Sequence, residues 1–226
     1  RFPDNEHVYC DSGAVEYGQE LHYVCGTPLD KANFPARCQY PTIASALAEA
    51  ATEDTVVVSG IITETVTITK SVIVRGPSQD ELTPGTHMGF VQASRTAPAA
   101  DCNTAIGSVF TIAGNAQVQI RDLNIRHGCA TNGGGVNVTT GSQLHLNAVT
   151  IYNSRATSGG AIYNSGLLSI TDSTIVSVTT RTGGSGGGLY NATNGRSWLT
   201  HVTLAPDASL ALQNQDPLAT SVTVAS

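Results

Sequence analysis

A right-handed parallel β-helix with three short strands per coil, fronted by a capping helix, is the all-β fold the sequence predicts. Three observations predict it. Glycine runs open onto an aliphatic residue at Gly133-Gly134-Gly135-Val136, Gly159-Gly160-Ala161-Ile162 and Gly186-Gly187-Gly188-Leu189, in steps of about 26 residues, the size of one solenoid coil. Apolar residues after each run alternate with polar ones, as strands with one buried face require. A single such unit cannot bury its own apolar side, so successive units must stack into a continuous core.

In chain order, residues 1–41 read as a disulfide-containing N-terminal segment. Residues 42–52 read as a helix: the stretch from Thr42 is rich in Ala, with Ile43, Leu47 and Ala50 on one face and Thr42 as N-cap. Lacking Lys, Arg and large apolar residues, this helix fits the open end of a solenoid core better than a membrane surface. Residues 53–226 form the β-helix. Val56–Val58, Val66–Ile68 and Val72–Val74 supply its first three strands, and an insertion at about 76–106 follows as a loop or small lid.

The regular coils align in columns. Phe110, Val136, Ile162 and Leu189 occupy one inward column, followed two residues later by Ile112, Val138, Asn164 and Asn191, with Thr111, Asn137, Tyr163 and Tyr190 pointing out between them. After a turn at Gly114, Gly141, Gly166 or Gly195, a second strand aligns Ile120, Leu146, Ile170 and Leu199. A third aligns Ile125, Ile151, Ile175 and Leu204. Leu210 and Leu212 with Val222 and Val224 read as a shorter last coil, which places Asn164, Asn191 and Asn214 in one inward ladder of structural character.

Five cysteines without metal-type spacing indicate an oxidised, extracellular framework. Cys102 and Cys129 precede their coils by nearly equal distances, which puts them at one corner of successive coils within disulfide reach. Cys25 is paired with Cys38, leaving Cys10, with Cys10–Cys25 as the alternative.

The units Gly-Gly-Gly-Val-Asn-Val, Gly-Gly-Ala-Ile-Tyr-Asn and Gly-Gly-Gly-Leu-Tyr-Asn, each followed by a strand such as Leu168–Ile175, resemble the GGAI-type repeats of polymorphic outer-membrane proteins and related bacterial β-helix surface proteins. The front end, with Cys38 before the Ala-rich helix, is similar to secreted β-helix proteins carrying a Cys-Ser-Leu-Arg-Glu-Ala motif, although Gln39-Tyr40-Pro41 follows the cysteine here. The resemblance implies adhesion or surface display.

Chemistry is sparser than architecture. Other β-helices process polysaccharides, as lyases or glycoside hydrolases, but a fold does not carry an activity. Asp122 and Asp172 share a column with Ala148 between them, about two strand separations apart, a spacing open to a carboxylate pair. Their corner position favours a turn role in which each Asp hydrogen-bonds its own backbone. Arg121, Arg126 and Arg155 have no acidic cluster beside them of the kind a calcium-dependent lyase needs. His127, His145 and His201 occupy different coils and lack ligand spacing, so no metal or other cofactor is expected. Trp198, the only tryptophan, shares an outward column with Gln119, His145 and Ser169, and with Tyr163 and Tyr190 is the candidate for stacking on a ligand. Of two sequons, the outward Asn137 is open to a glycan and the inward Asn191 is not.

A net charge of -6 argues against nucleic acid as a partner, and no apolar run is long enough to span a bilayer. A start at Arg1 reads as a processed, mature product. The last coil ends without a cap, which leaves room for head-to-tail self-association into filaments. Together these readings describe a secreted or cell-surface, non-catalytic structural or adhesive module with a glycan or protein ligand. Polysaccharide lyase or glycoside hydrolase activity is the alternative.

Overall fold

The computed structural model describes residues 19–26, 38–78, 81, 88–98, 102, 106–205, 212–215 and 222–225. Cys10, Leu210 and most of the N-terminal segment lie outside them. The described chain is a parallel β-helix of about five turns. It begins with β1 (Leu21–Cys25) and helix α1 (Ile43–Glu49), continues through β2 (Thr55–Ser59), β3 (Ile61–Thr63), β4 (Val66–Ile68) and β5 (Val72–Arg75), and reaches β6 (Gly89–Gln92). The first regular coil holds β7 (Phe110–Ile112), β8 (Gln117–Arg121), β9 (Leu123–Arg126) and β10 (Cys129–Asn132). The second holds β11 (Val136–Val138), β12 (Gln143–Asn147), β13 (Thr150–Tyr152) and β14 (Arg155–Ser158). The third holds β15 (Ile162–Asn164), β16 (Leu167–Thr171), β17 (Thr174–Val176) and β18 (Thr179–Ser185). The chain closes on β19 (Leu189–Asn191), β20 (Arg196–Thr200), β21 (Thr203–Ala205), β22 (Leu212–Asn214) and β23 (Val222–Ala225).

Every ladder is parallel. An eight-stranded sheet runs β1-β2-β5-β8-β12-β16-β20-β23, and two six-stranded sheets run β4-β7-β11-β15-β19-β22 and β3-β6-β9-β13-β17-β21. The first core column pairs Phe110 with Val136, Val136 with Ile162 and Ile162 with Leu189, and these four side chains are fully buried. The other two sheets bring Ile120, Leu146, Ile170 and Leu199, and Ile125, Ile151 and Ile175, into the same core, with Leu204 packed at its margin. Positive φ at Gly133, Gly159 and Gly186 turns each coil into its next strand, a conformation that favours glycine.

The structure adds four features. A fourth short strand per regular coil forms a small sheet, β10-β14-β18, along the glycine corner. Strand β1 lies inside the N-terminal segment and extends the long sheet by one level, because His22 and Val24 turn inward while Leu21 stays exposed. The valine strands expected as one coil divide between two: Val56–Val58 and Val72–Val74 both belong to the long sheet, with β3 and β4 between them. The insertion expected at about 76–106 contains a strand, β6, which pairs with both β3 and β9. Its corners are longer than those of the later coils, and only Val91 marks its inward face as aliphatic, so no periodic signal separated it from a loop.

Helix α1 covers the N-terminal end of the core, burying Ile43, Ala46 and Leu47, with Ala50 buried just beyond it. Thr42 and Ser45 form a reciprocal capping box. Side chains from the coil beneath hold both helix ends. Glu64 accepts hydrogen bonds from the amides of Ile43 (2.8 Å) and Ala44 (3.1 Å). Lys70 Nζ donates to the carbonyls of Leu47 (3.0 Å), Ala48 (3.2 Å) and Ala50 (2.8 Å). Each charge opposes the partial charge of the helix end it meets. Lys70→Met should therefore lower stability by about 1–2 kcal/mol, since three terminal carbonyls lose a cationic donor. Chemical denaturation of the two proteins measures this, with an unchanged midpoint the contrary result.

Two disulfides tie the fold. Cys25–Cys38 (Cα–Cα 5.5 Å) anchors the end of β1 to the approach to α1, and Cys102–Cys129 (Cα–Cα 5.8 Å) links the start of one coil to β10.

Candidate functional site

The long sheet presents the broadest outward surface, and its register decides which polar side chains share it. Alternation turns Gln117, Gln119 and Arg121 of β8 outward, beside Gln143, His145 and Asn147 of β12, then Leu167, Ser169 and Thr171 of β16, then Arg196, Trp198 and Thr200 of β20. Trp198 (43% exposed) and Leu167 (37%) are the exposed large apolar groups on this strip. At the N-terminal end of the strip is a cleft of about 410 Å³, lined by Gln19, Glu53, Ser71, Ile73, Gln119 and His145 among others. Glu53 and His145 are the ionisable groups among the described residues of its lining. Sequence reasoning placed His145 and Trp198 on this face but did not find the cleft. Glu53 reaches it from the turn ahead of β2, at a positive φ of 76°, and no spacing rule links it to His145.

The other candidate residues fall elsewhere. Tyr163 and Tyr190 stack on the outward side of a six-stranded sheet, with centroids 5.4 Å apart and planes 8° from parallel. Burial, then the neighbouring Tyr190, pushes the Tyr163 phenol up. Asn164 and Asn191 are fully buried. Asn164 Nδ2 donates to Asn191 Oδ1 (2.8 Å) and Asn191 Nδ2 to Asn214 Oδ1 (3.1 Å). Asn137 is partly exposed on the outward side of β11.

Asp122, Ala148, Asp172 and His201 occupy one corner, all with φ between 49° and 56°. The two aspartates sit at the turn, and among the described residues the hydrogen bond found for either carboxylate is one to a histidine rather than to its own backbone. What the corner requires is tolerance of the left-handed conformation, which Asp offers more readily than most residues. Asp172 Oδ1 instead meets His201 Nδ1 at 3.2 Å, with both side chains well exposed. His127 sits buried at the next corner with Nδ1 3.0 Å from Ser94 O, and its pKa is lowered by burial and, to a lesser extent, by Arg126.

Two ionic clusters lie at the cleft's end of the solenoid. Glu20, His22 and Asp54 place potential ligand atoms within 4.8 Å of one another. The Asp54 and His22 atoms are already engaged, while Glu20 is exposed: Asp54 accepts from the amides of Glu20 (3.0 Å) and Ala51 (2.7 Å), and its Oδ2 lies 3.0 Å from His22 Nε2. His22 Nδ1 lies 3.2 Å from the Tyr40 hydroxyl. Burial alone would raise the Asp54 pKa, but the hydrogen bonds from Glu20, His22 and Ala51 outweigh it and hold it low. The set joins β1 to β2 and resembles a clamp more than an open metal site.

In the second cluster, Arg75 grips Glu81 with two hydrogen bonds (2.6 and 2.9 Å), and Tyr23 Oη donates to the same carboxylate (2.9 Å). Burial works against the charge on Glu81, yet Arg75, the Ser78 amide and Tyr23 lower its pKa from 4.5 to about 2. A depressed carboxylate pKa stabilises the fold above the unfolded value, and that contribution is lost as pH falls through the folded one. Glu81→Gln should therefore melt below the wild type at neutral pH, and the gap should narrow between pH 4.5 and about 2. Melting curves across that window are the check, and a constant gap would contradict the linkage.

These features define the chain as a parallel β-helix with a polar cleft at one end of its longest sheet and Trp198 exposed farther along it. No protein-family model matches the sequence, and a search of curated proteins finds no significant relative. Among solved structures, the chain is similar to a pectin methylesterase in complex with a hexasaccharide, at 17% identity over 84% of this chain and 67% of that one, with a TM-score of 0.49. It is also similar to the pectin methylesterase PemA of Erwinia chrysanthemi (16% identity, 86% and 68% covered, TM-score 0.49). The pectin methylesterase of Yersinia enterocolitica gives 14% identity, 80% and 72% covered and a TM-score of 0.44. At these values the likeness is one of fold.

The expectation of a non-catalytic structural or adhesive module is corrected at this point. The three solved chains named above are pectin methylesterases rather than adhesins, and Glu53 and His145 both line the cleft on the outward face.

Proposed function

We propose that the protein is a secreted polysaccharide-processing enzyme that holds an extended glycan across the outward face of its eight-stranded sheet. The observation that carries this reading is the cleft itself. Glu53 and His145 line it together with the hydrogen-bonding side chains Gln19, Ser71 and Gln119. A carboxylate and an imidazole are the side-chain types most used to give and take protons at a scissile bond. The amides and hydroxyl suit sugar hydroxyls, and Trp198 farther along the same face offers a ring on which a sugar can stack. Two disulfides fit the oxidising surroundings of a secreted protein. The partly exposed Asn137 is the sequon we assign to glycosylation where the host carries that chemistry. The likeness of the glycine units to GGAI-type repeats is taken as one of architecture.

The test is turnover. Neutral and acidic polysaccharides incubated with the protein should yield shortened or modified products from at least one class. Glu53→Gln and His145→Gln should each lower that rate by about 100-fold or more, the usual range for a proton-transfer group. Turnover unaffected by both substitutions would remove the cleft from the reaction.

A further inference from the structure

Three arginines along neighbouring strands differ in their surroundings. Arg75 is neutralised by Glu81. Arg126, on the outward side of β9, is held on several sides: Nε donates to Gln92 Oε1 (2.8 Å), an Nη donates to the Tyr152 hydroxyl (3.0 Å), and the guanidinium lies 5.3 Å from the Phe90 ring centroid and 5.9 Å from that of Tyr152. Arg121 has no such company. Its Nε is the one buried side-chain nitrogen or oxygen among the described residues without a hydrogen-bond partner. No carboxylate among the described residues pairs with it, and its ladder neighbours are Arg75 on one side and Asn147 on the other.

A guanidinium cannot shed its charge, and an enclosed donor without an acceptor is costly, so such a group marks a place where an acceptor belongs. Arg121 also shares its strand face with Gln117 and Gln119, which line the cleft. Trp198 lies three strands further along the same sheet, about 14 Å at ordinary strand spacing.

We infer that Arg121 is the anion-recognition residue of this face, receiving a carboxylate or sulfate group of an acidic oligosaccharide whose chain runs across the strands toward Trp198. This rests on the glycan-processing reading above and gives it a substrate class. The planar guanidinium fork presents paired donors to such a group, and sugar hydroxyls fall to Gln119, His145 and Ser169 between the two ends. Arg121 binds and positions; proton transfer stays with Glu53 and His145.

Trp198 is the only tryptophan and therefore an internal reporter. Titration of the full chain with oligomers of a uronic acid, a sulfated galactan and a neutral glucan, followed by tryptophan fluorescence and calorimetry, tests the assignment. At least one anionic oligomer should bind at least tenfold more tightly than the neutral one, with affinity falling as salt rises. Preference between the uronate and the sulfated chain identifies the anion. Arg121→Gln should weaken anionic binding at least tenfold and leave neutral binding unchanged. Arg121→Lys should recover part of the loss, and Arg95→Gln, a charge-matched change at an exposed position, should have no effect. Thermal melts of each variant show whether the fold is retained. Equal affinity for neutral and anionic oligomers, or full anionic binding by folded Arg121→Gln, overturns the assignment while leaving the glycan reading standing. Binding to none of the oligomers overturns both.

Discussion

Gly134→Ala is expected to destabilise the solenoid by about 3 kcal/mol or more, the upper range for forcing volume into packed structure. A methyl there would lie 2.5 Å from Gly160 O and 2.6 Å from Arg155 O, with Arg155 N at 2.7 Å. All three are backbone atoms of the next coil, so no rotamer change can relieve the clash and the coils themselves must part. Gly134 lies outside the left-handed region, so space alone is at issue. Gly183→Ala is the matching control: nothing lies within 4 Å of its added methyl, and its φ of 77° limits the cost to backbone strain of about 1–2 kcal/mol. Urea denaturation of both variants should separate them clearly, and equal losses would refute the packing account.

The second large effect belongs to the asparagine ladder. Asn191 donates to Gly195 O and Asn214 Oδ1 and accepts from Asn164 Nδ2 and Ser197 Oγ, in a fully buried position. Asn191→Leu keeps the branched shape but leaves several enclosed polar groups short of a partner, at a cost of about 3–5 kcal/mol. For a chain of this length that is about 10 °C in melting temperature. Asn164→Leu alone should be comparably severe, because its amide reaches Asn191, Arg196 O and Ser197 Oγ and its oxygen accepts from the Gly166 amide. The double variant should lose less than the sum, since each substitution strands groups that the other removes. Additive losses would show that the two amides act independently.

The core was legible because a period of about 26 residues repeats the same inward residues, and one alignment places every column. Phe110, Val136, Ile162 and Leu189 needed no partner information to be set side by side. Strand β1 was harder to read, since one of its two inward residues is His22, which is buried through its bonds to Asp54 and Tyr40. Strands β10, β14 and β18 run through a glycine- and threonine-rich corner whose composition looks like a turn. The cleft was harder still. Glu53, Ser71, Gln119 and His145 come from four separate stretches of sequence, and only the ladder from β2 through β5 and β8 to β12 brings them together. The isolation of Arg121 is likewise invisible in sequence, because it depends on where Glu81 and Gln92 reach.

The in-register ladders carry a consequence for how such a protein changes over generations. Each regular coil meets its neighbours through the same backbone pairing, so whole coils are the natural unit of insertion and loss. Duplicating the stretch between two glycine corners would lengthen the outward face by one strand, about 4.8 Å, without asking the fold to solve a new packing problem. The length of the outward face can thus be altered in whole steps, while the helix at one end and the paired charges beside it stay as they are.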